Sequence, residues 1–140
     1  MSHRVRALTG MGQIHRIVSI YRQVWPASSG IIDLLASATE CILLEDEHGL
    51  VIGYAFVEED RERGFVELQD LAVLPKYRGE GGGTRLMEAV MGRSPVVKLI
   101  ARLSNESLLA FYRKLGFKSE YIIENYYEIN EDGVRMSWKK

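Results

Sequence analysis

Between Arg78 and Thr84 the chain reads Arg78-Gly79-Glu80-Gly81-Gly82-Gly83-Thr84, a run nearly bare of side chains. Such a run offers exposed backbone N–H groups, and their natural partner is an anion. Leu86, Met87 and Val90 follow at the spacing of one helix face, so the glycines open a helix at the positive end of its dipole. Each glycine inside a helix costs about 1 kcal/mol relative to alanine, so a row of them calls for compensation. A pyrophosphate held against the bare backbone would supply it; a tight strand-to-helix connection with no ligand is the plainer alternative. Two familiar phosphate cradles do not fit. The P-loop needs a lysine where this chain has Thr84, and the dinucleotide fingerprint, counted from Gly79 or Gly81, lacks its last glycine.

The elements that must position this turn can be read along the chain. Phe65 to Val73 has strand composition, and Pro75 then removes a backbone donor and ends the ladder. Upstream, Arg4 to Leu8 reads as a short strand ended by Thr9-Gly10. Gln13 to Val24 carries Ile14, Ile17, Val18, Tyr21 and Val24, a helical stripe that stops at Trp25-Pro26. Ser28-Ser29-Gly30 would cap a second short helix, Ile31 to Ala38. Cys41–Leu44 and Val51–Val57 form a hairpin through the polar loop Glu45 to Gly49, and a charged turn, Glu58 to Gly64, leads into the central strand. Past the glycine helix, Val96 to Ala101 is a buried strand. Asn105 caps a helix from Glu106 to Leu115, with Gly116 in the left-handed C-terminal position. Phe117 to Ile123, a polar connection from Asn125 to Asp132, and a strand from Gly133 to Trp138 close the chain. Strands first, then alternating strands and helices, predict a mixed α/β sheet.

Composition bounds the function. At 140 residues the chain is expected to be one domain, residues 1–140. With 18 basic and 19 acidic residues the net charge is -1, so no footprint for nucleic acid or a membrane surface is expected. The single Cys41 forms no internal disulfide and points to a reducing compartment. No apolar run approaches the roughly 18 residues of a spanning helix, and a cytoplasmic protein is expected.

Arg78-x-x-Gly81-x-Gly83, preceded by Leu71-Ala72-Val73-x-Pro75-x-Tyr77, resembles the acetyl-CoA motif of the GNAT superfamily of N-acetyltransferases. Asn105-Glu106-Ser107-Leu108-Leu109-Ala110-Phe111-Tyr112-Arg113-Lys114-Leu115-Gly116-Phe117 resembles the second signature of the same family. The resemblance covers essentially the whole chain. It implies a central, mostly antiparallel seven-stranded sheet flanked by about four helices, acetyl-CoA as co-substrate, and no metal. By the same resemblance the cofactor would be held by Leu71, Ala72 and Val73, by the turn residues Arg78, Gly79, Glu80, Gly81, Gly82, Gly83 and Thr84, and by Asn105 and Tyr112. A backbone N–H within Leu71 to Val73 would take the thioester carbonyl, Asn105 would touch the pantetheine arm, and Tyr112 would give or share a proton with the sulfur.

Acetyl transfer to an amine needs a neutral nucleophile, and an amine is cationic near neutral pH, so a base must accept its proton. Glu67 occupies the position at which the histone-acetylating branch carries its glutamate base; Asp70 is the second candidate and a possible acceptor-binding residue. Counted by alternation, Glu67, Gln69, Leu71 and Val73 share one face of the strand and Leu68, Asp70 and Ala72 the other, unless a bulge near the cofactor resets them. The branch acting on ribosomal proteins and protein N-termini usually reads Leu-Glu-Val-Arg-x-Ser-Asn before its second signature, whereas this chain reads Leu99-Ile100-Ala101-Arg102-Leu103-Ser104-Asn105. Ile100 replaces the glutamate, which leaves the base to Glu67, Asp70 or a water. The segment Asn125 to Met136 resembles the paired-tyrosine hairpin that closes over the substrate N-terminus in that branch, with Tyr126 and Tyr127 as acceptor-binding residues. Three readings follow: an acetyltransferase of peptide or protein α-amines, acting by direct attack in a ternary complex; an acetyltransferase of a small amine such as a polyamine, amino sugar or amino acid; and a non-catalytic acetyl-CoA sensor. The protein would act as a monomer or homodimer.

Overall fold

The structure, a computed structural model, describes residues 3–9, 12–26 and 30–140. Its elements are β1 (Arg4–Ala7), α1 (Ile14–Val24), α2 (Ile31–Ser37), β2 (Glu40–Glu45), β3 (Val51–Asp60), β4 (Phe65–Val73), a 3-10 turn over Pro75–Tyr77, α3 (Gly82–Met91), β5 (Val96–Arg102), α4 (Glu106–Lys114), β6 (Lys118–Glu128) and β7 (Glu131–Lys139). The end of the first strand expected at Gly10, and the capping serines Ser28 and Ser29, lie outside the described residues. Seven strands form one sheet in the order β1-β2-β3-β4-β5-β7-β6, in which only the β4–β5 pair is parallel. This is the mixed, mostly antiparallel sheet expected from the sequence.

Strand alternation distributes the apolar side chains into two layers. Ile42, Leu44, Ile52 and Ala55 face the layer of α3 and α4, where Leu86, Met87, Val90, Leu109 and Tyr112 are buried. Cys41, Leu43, Tyr54 and Phe56 face α1, whose Ile17, Ile20 and Tyr21 are buried against them. Strands buried on both faces read as continuous apolar runs, which is why Cys41–Leu44 and Val51–Val57 lack alternation in the sequence.

Two irregularities shape the site. First, Val57 pairs with Leu68 and Phe56 with Asp70, so Gln69 is an extra residue that bulges from β4. The bulge resets alternation: Val66, Leu68, Leu71 and Val73 pack with the α3/α4 layer, while Ala72 packs with α1. Leu71 and Val73 therefore do not share the face of Glu67, contrary to uninterrupted counting. Second, β4 pairs with β5 only from Val66↔Val97 to Leu68↔Leu99. Beyond that point β4 follows β3 as far as Val73, and β5 follows β7 as far as Arg102, so the two strands part.

The polar connection expected over Asn125 to Asp132 is instead mostly strand. Strands β6 and β7 run to Glu128 and Glu131, leaving a short turn in which Asn130 takes φ 64. Pairing is irregular between Ile123 and Glu128, and Asn125 there has φ 54. Strand β6 is an edge strand with almost every residue exposed, so it carries no apolar alternation by which it could be recognised.

Candidate active site

Where β4 and β5 part, a cavity of about 440 Å³ opens through the sheet layer. Gln69, Asp70 and Leu71 of β4 form one wall and Ile100 to Arg102 of β5 the other, with Asn105, Leu108 and Tyr112 of α4 behind. On the opposite side Tyr21 comes from α1, Trp25 from the C-cap that ends it, Leu34 from α2 and Tyr127 from β6. The backbone faces this gap selectively. Leu74 N–H donates to Ile52 O at 2.9 Å, and antiparallel alternation then turns the peptide groups of Ala72 towards β3 and those of Leu71 and Val73 towards the gap. Of the three residues expected to present a backbone donor, Ala72 is thus committed to the sheet, its side chain buried beneath α1.

The glycine turn lies where α3 begins. Gly81 is the N-cap in the left-handed region at φ 83, and Arg85 N–H, donating to Gly81 O at 3.0 Å, makes the first bond of the helix ladder. The N–H groups of Gly82, Gly83 and Thr84 precede that ladder and point along the axis with no side-chain cap. The glycines are bare for different reasons. A Cβ on Gly81 would meet open space but demand a strained backbone; a Cβ on Gly82 would run into the Leu44 side chain; a Cβ on Gly83 would lie 3.4 Å from the Phe111 ring of α4. Arg78 folds its side chain back, Nε donating to Val73 O at 3.1 Å, and braces the turn against the end of β4. The Glu80 carboxylate is taken by His3 Nε2 at 2.8 Å, so the turn retains only the Glu80 backbone. This bare N-terminus, abutting the same α4 that lines the cavity, fits a pyrophosphate-bearing co-substrate.

Asp70 stands on the α1 side of the cleft. Tyr54 O–H donates to its Oδ2 at 2.7 Å. Burial raises the Asp70 carboxyl to about 6, against the lowering effect of the Tyr54 hydroxyl and smaller ones from the Leu71 amide and the Trp25 indole. Across the cleft, Tyr112 is 5% exposed, with its ring packed between Phe111 and Phe117 at centroid distances of 5.3 and 5.7 Å. Burial, with the Asp70 charge adding to it, holds its phenol above the ordinary value, so it stays protonated at neutral pH. Asn105 caps α4, its Oδ1 accepting from Leu108 N–H at 3.2 Å, and lines the cavity as well. The cap and the cavity roles fall on one side chain.

The β6–β7 tip closes the remaining side. Tyr127 O–H donates to Ile100 O at 3.2 Å, the Arg102 guanidinium lies 4.4 Å from the centre of its ring, and Arg102 is tied to Glu131 at 2.9 Å. Burial pushes the Tyr127 phenol up to about 12. Tyr126 meets Tyr127 edge-on at 4.9 Å and covers Gly133, standing behind the cavity rather than lining it. Glu67 is the clearest departure from the sequence expectation. It accepts from Arg135 Nη1 at 3.0 Å and lines a separate depression with Phe65 and Glu58, because it precedes the point at which β4 and β5 part. Sequence reasoning did not reach Tyr54, Trp25, Leu34 or Arg102. Tyr54 left one trace, a tyrosine within an otherwise apolar strand.

Comparison with known proteins agrees with this geometry. A family model described as an acetyltransferase (GNAT) domain matches residues 37–119. An N-alpha-acetyltransferase of Sulfurisphaera tokodaii is 28% identical over 145 residues, covering 89% of this chain and 86% of its own. Ard1 from Thermoplasma volcanium superposes with a TM-score of 0.85 at 22% identity over 99% of this chain and 98% of its own. Arabidopsis thaliana Naa50, in complex with the bisubstrate analogue CoA-Ac-MVNAL, superposes with a TM-score of 0.84 at 23% identity over the full length of both chains. The parted strands, the bare helix N-terminus beside them and the match over most of the chain have one reading: this is an N-acetyltransferase of the GNAT family.

Proposed function

We propose that the protein transfers acetyl from acetyl-CoA to the α-amine of a peptide or protein N-terminus, by direct attack within the cleft between β4 and β5. The observation that carries this reading is the placement of Asp70 and Tyr112 on opposite sides of one cavity that Leu71 also lines, where the Leu71 and Val73 peptide groups are turned away from β3. Acetyl-CoA, when bound, supplies the activated acyl carbon; the chain supplies position, hydrogen-bond donors and a proton acceptor. The N–H groups of Gly82, Gly83 and Thr84 receive the pyrophosphate, and the Asn105 amide lies along the path of the pantetheine arm. The peptide N–H of Val73, and that of Leu71, which the Asp70 carboxylate shares, are donors for the oxygen on which negative charge develops. Asp70 takes the proton of the incoming ammonium, and the protonated Tyr112 hydroxyl donates a hydrogen bond to the leaving sulfur. Ile100, with no carboxylate to offer, contributes an apolar wall. Among relatives, the Sulfurisphaera tokodaii N-alpha-acetyltransferase and the Naa50 complex with its peptide-bearing analogue support a peptide acceptor over a small amine. So does the Tyr127 wall, whose hydroxyl and rigid ring suit an extended backbone.

Thiol release from acetyl-CoA tests the proposal, with a short peptide carrying a free α-amine set against spermidine, glucosamine and an N-blocked lysine peptide. The free peptide is expected to be acetylated at least ten times faster than any of the three. Preference for one of those amines would reassign the protein to a different acceptor class.

A further inference from the structure

We propose that Tyr54 is a positioning residue for the acceptor base: its buried hydroxyl holds Asp70 Oδ2, so that Oδ1 is the oxygen presented to the incoming amine. The inference rests on Asp70 as the base and adds a residue outside both family motifs. Counted through β4, Asp70 would share the face of Leu68; the extra residue Gln69 turns it to the α1 side, where Tyr54 waits on β3 opposite Ala72. Tyr54 is 0% exposed, and its ring packs edge-on against Phe56 at 5.1 Å. A ring fixed in this way cannot follow Asp70 if the carboxylate turns, so its O–H, 2.7 Å from Oδ2, selects one carboxylate rotamer. A base buried in a cleft faces two demands. It must remain ionised although burial favours its acid form, and it must leave an oxygen free. One donor held from behind meets both, because a hydrogen bond to the charged form favours that form.

The Leu71 amide and the Trp25 indole also favour the Asp70 carboxylate, each less than the Tyr54 hydroxyl. Behind it lie Tyr21 on α1 and Cys41 on β2, whose thiol burial pushes up to about 12, so it stays neutral. Asp33 of α2 lines the same cleft, as do Tyr112, Tyr127 and Arg102, and Arg102 is already tied to Glu131. Among the described residues, the Tyr54 hydroxyl, 2.7 Å from Oδ2, is the stronger of the side-chain donors that act on the Asp70 carboxylate, ahead of the Trp25 indole.

The test is the pH dependence of kcat at saturating peptide and acetyl-CoA for the wild type, Tyr54→Phe, Asp70→Asn and the double variant. Tyr54→Phe keeps the ring and its packing and removes only the donor. The wild type should show an acid limb near pH 6, as Asp70 ionises. In Tyr54→Phe the limb should move up by about one pH unit, the size of one charge-assisted hydrogen bond, with the acetyl-CoA Kd unchanged. Asp70→Asn should lose the limb, and adding Tyr54→Phe to it should change kcat less than two-fold. An unmoved limb in Tyr54→Phe, or multiplicative losses in the double variant, overturns the positioning role. A wild-type limb in Asp70→Asn instead overturns Asp70 as the base, which keeps the two failures apart.

Discussion

At the scale of single residues, Asp70, the base proposed above, carries a cost in stability. Its carboxyl is raised to about 6 in the folded protein, against an unfolded value near 3.8. The folded chain therefore holds that proton more tightly than the unfolded chain. The associated stability is complete below the unfolded value and is lost as pH rises through 6. Integrated, the difference is roughly 3 kcal/mol. Asp70→Asn, which carries no charge, should be more stable than the wild type in urea at pH 8 and nearly equal to it at pH 4, while losing turnover. Equal stabilities at both pH values would mean that the carboxylate is not desolvated as its surroundings imply. The glycines make a second residue-level contrast. Gly83→Val should weaken acetyl-CoA binding at least ten-fold by calorimetry with little change in Tm, since its side chain would enter the gap towards Phe111. Gly82→Val should instead lower Tm, since its side chain would displace Leu44 from the core.

At the scale of elements, the cleft is assembled by segments whose own sequences do not announce it. The glycine helix and the capped helix α4 were legible because their signals are local: bare residues before an apolar stripe, and an asparagine before another. Which of Glu67 and Asp70 lines the cleft was not legible, because a bulge is set by how β4 registers against β3, a pairing that no single stretch encodes. Nor was the strand character of Asn125 to Glu128, where an exposed edge element has no reason to alternate. The same tip yields an element-level prediction. It leans over β7 at Gly133, where a Cβ would stand 2.9 Å from Ile100 Cγ2 and 3.1 Å from the Tyr126 ring. Gly133→Ala should push Tyr126 and Tyr127 off β5 and raise the peptide KM several-fold, leaving the acetyl-CoA Kd as it is. Unchanged peptide kinetics would show that the tip does not wall the acceptor.

At the scale of the whole molecule, the fold presents two halves of one sheet, joined by the short parallel contact between β4 and β5. One half is covered by helices on both faces; the other, β5, β7 and β6, carries α4 on a single side and ends in an exposed edge. The parting of the halves follows from a single surplus residue. Gln69 has no counterpart on β3, and a strand that bulges also bends. Without it, Leu68 and Asp70 would become neighbours, every side chain would keep its present face, and β4 could go on pairing with β5 beyond Leu99. A chain lacking Gln69 is thus expected to fold into a more regular sheet, with a higher Tm than the parent, and to bind neither acetyl-CoA nor peptide by calorimetry. The cavity proposed for the reaction is, in these terms, an unfinished seam: its floor is the set of hydrogen bonds that two adjacent strands would have made with each other.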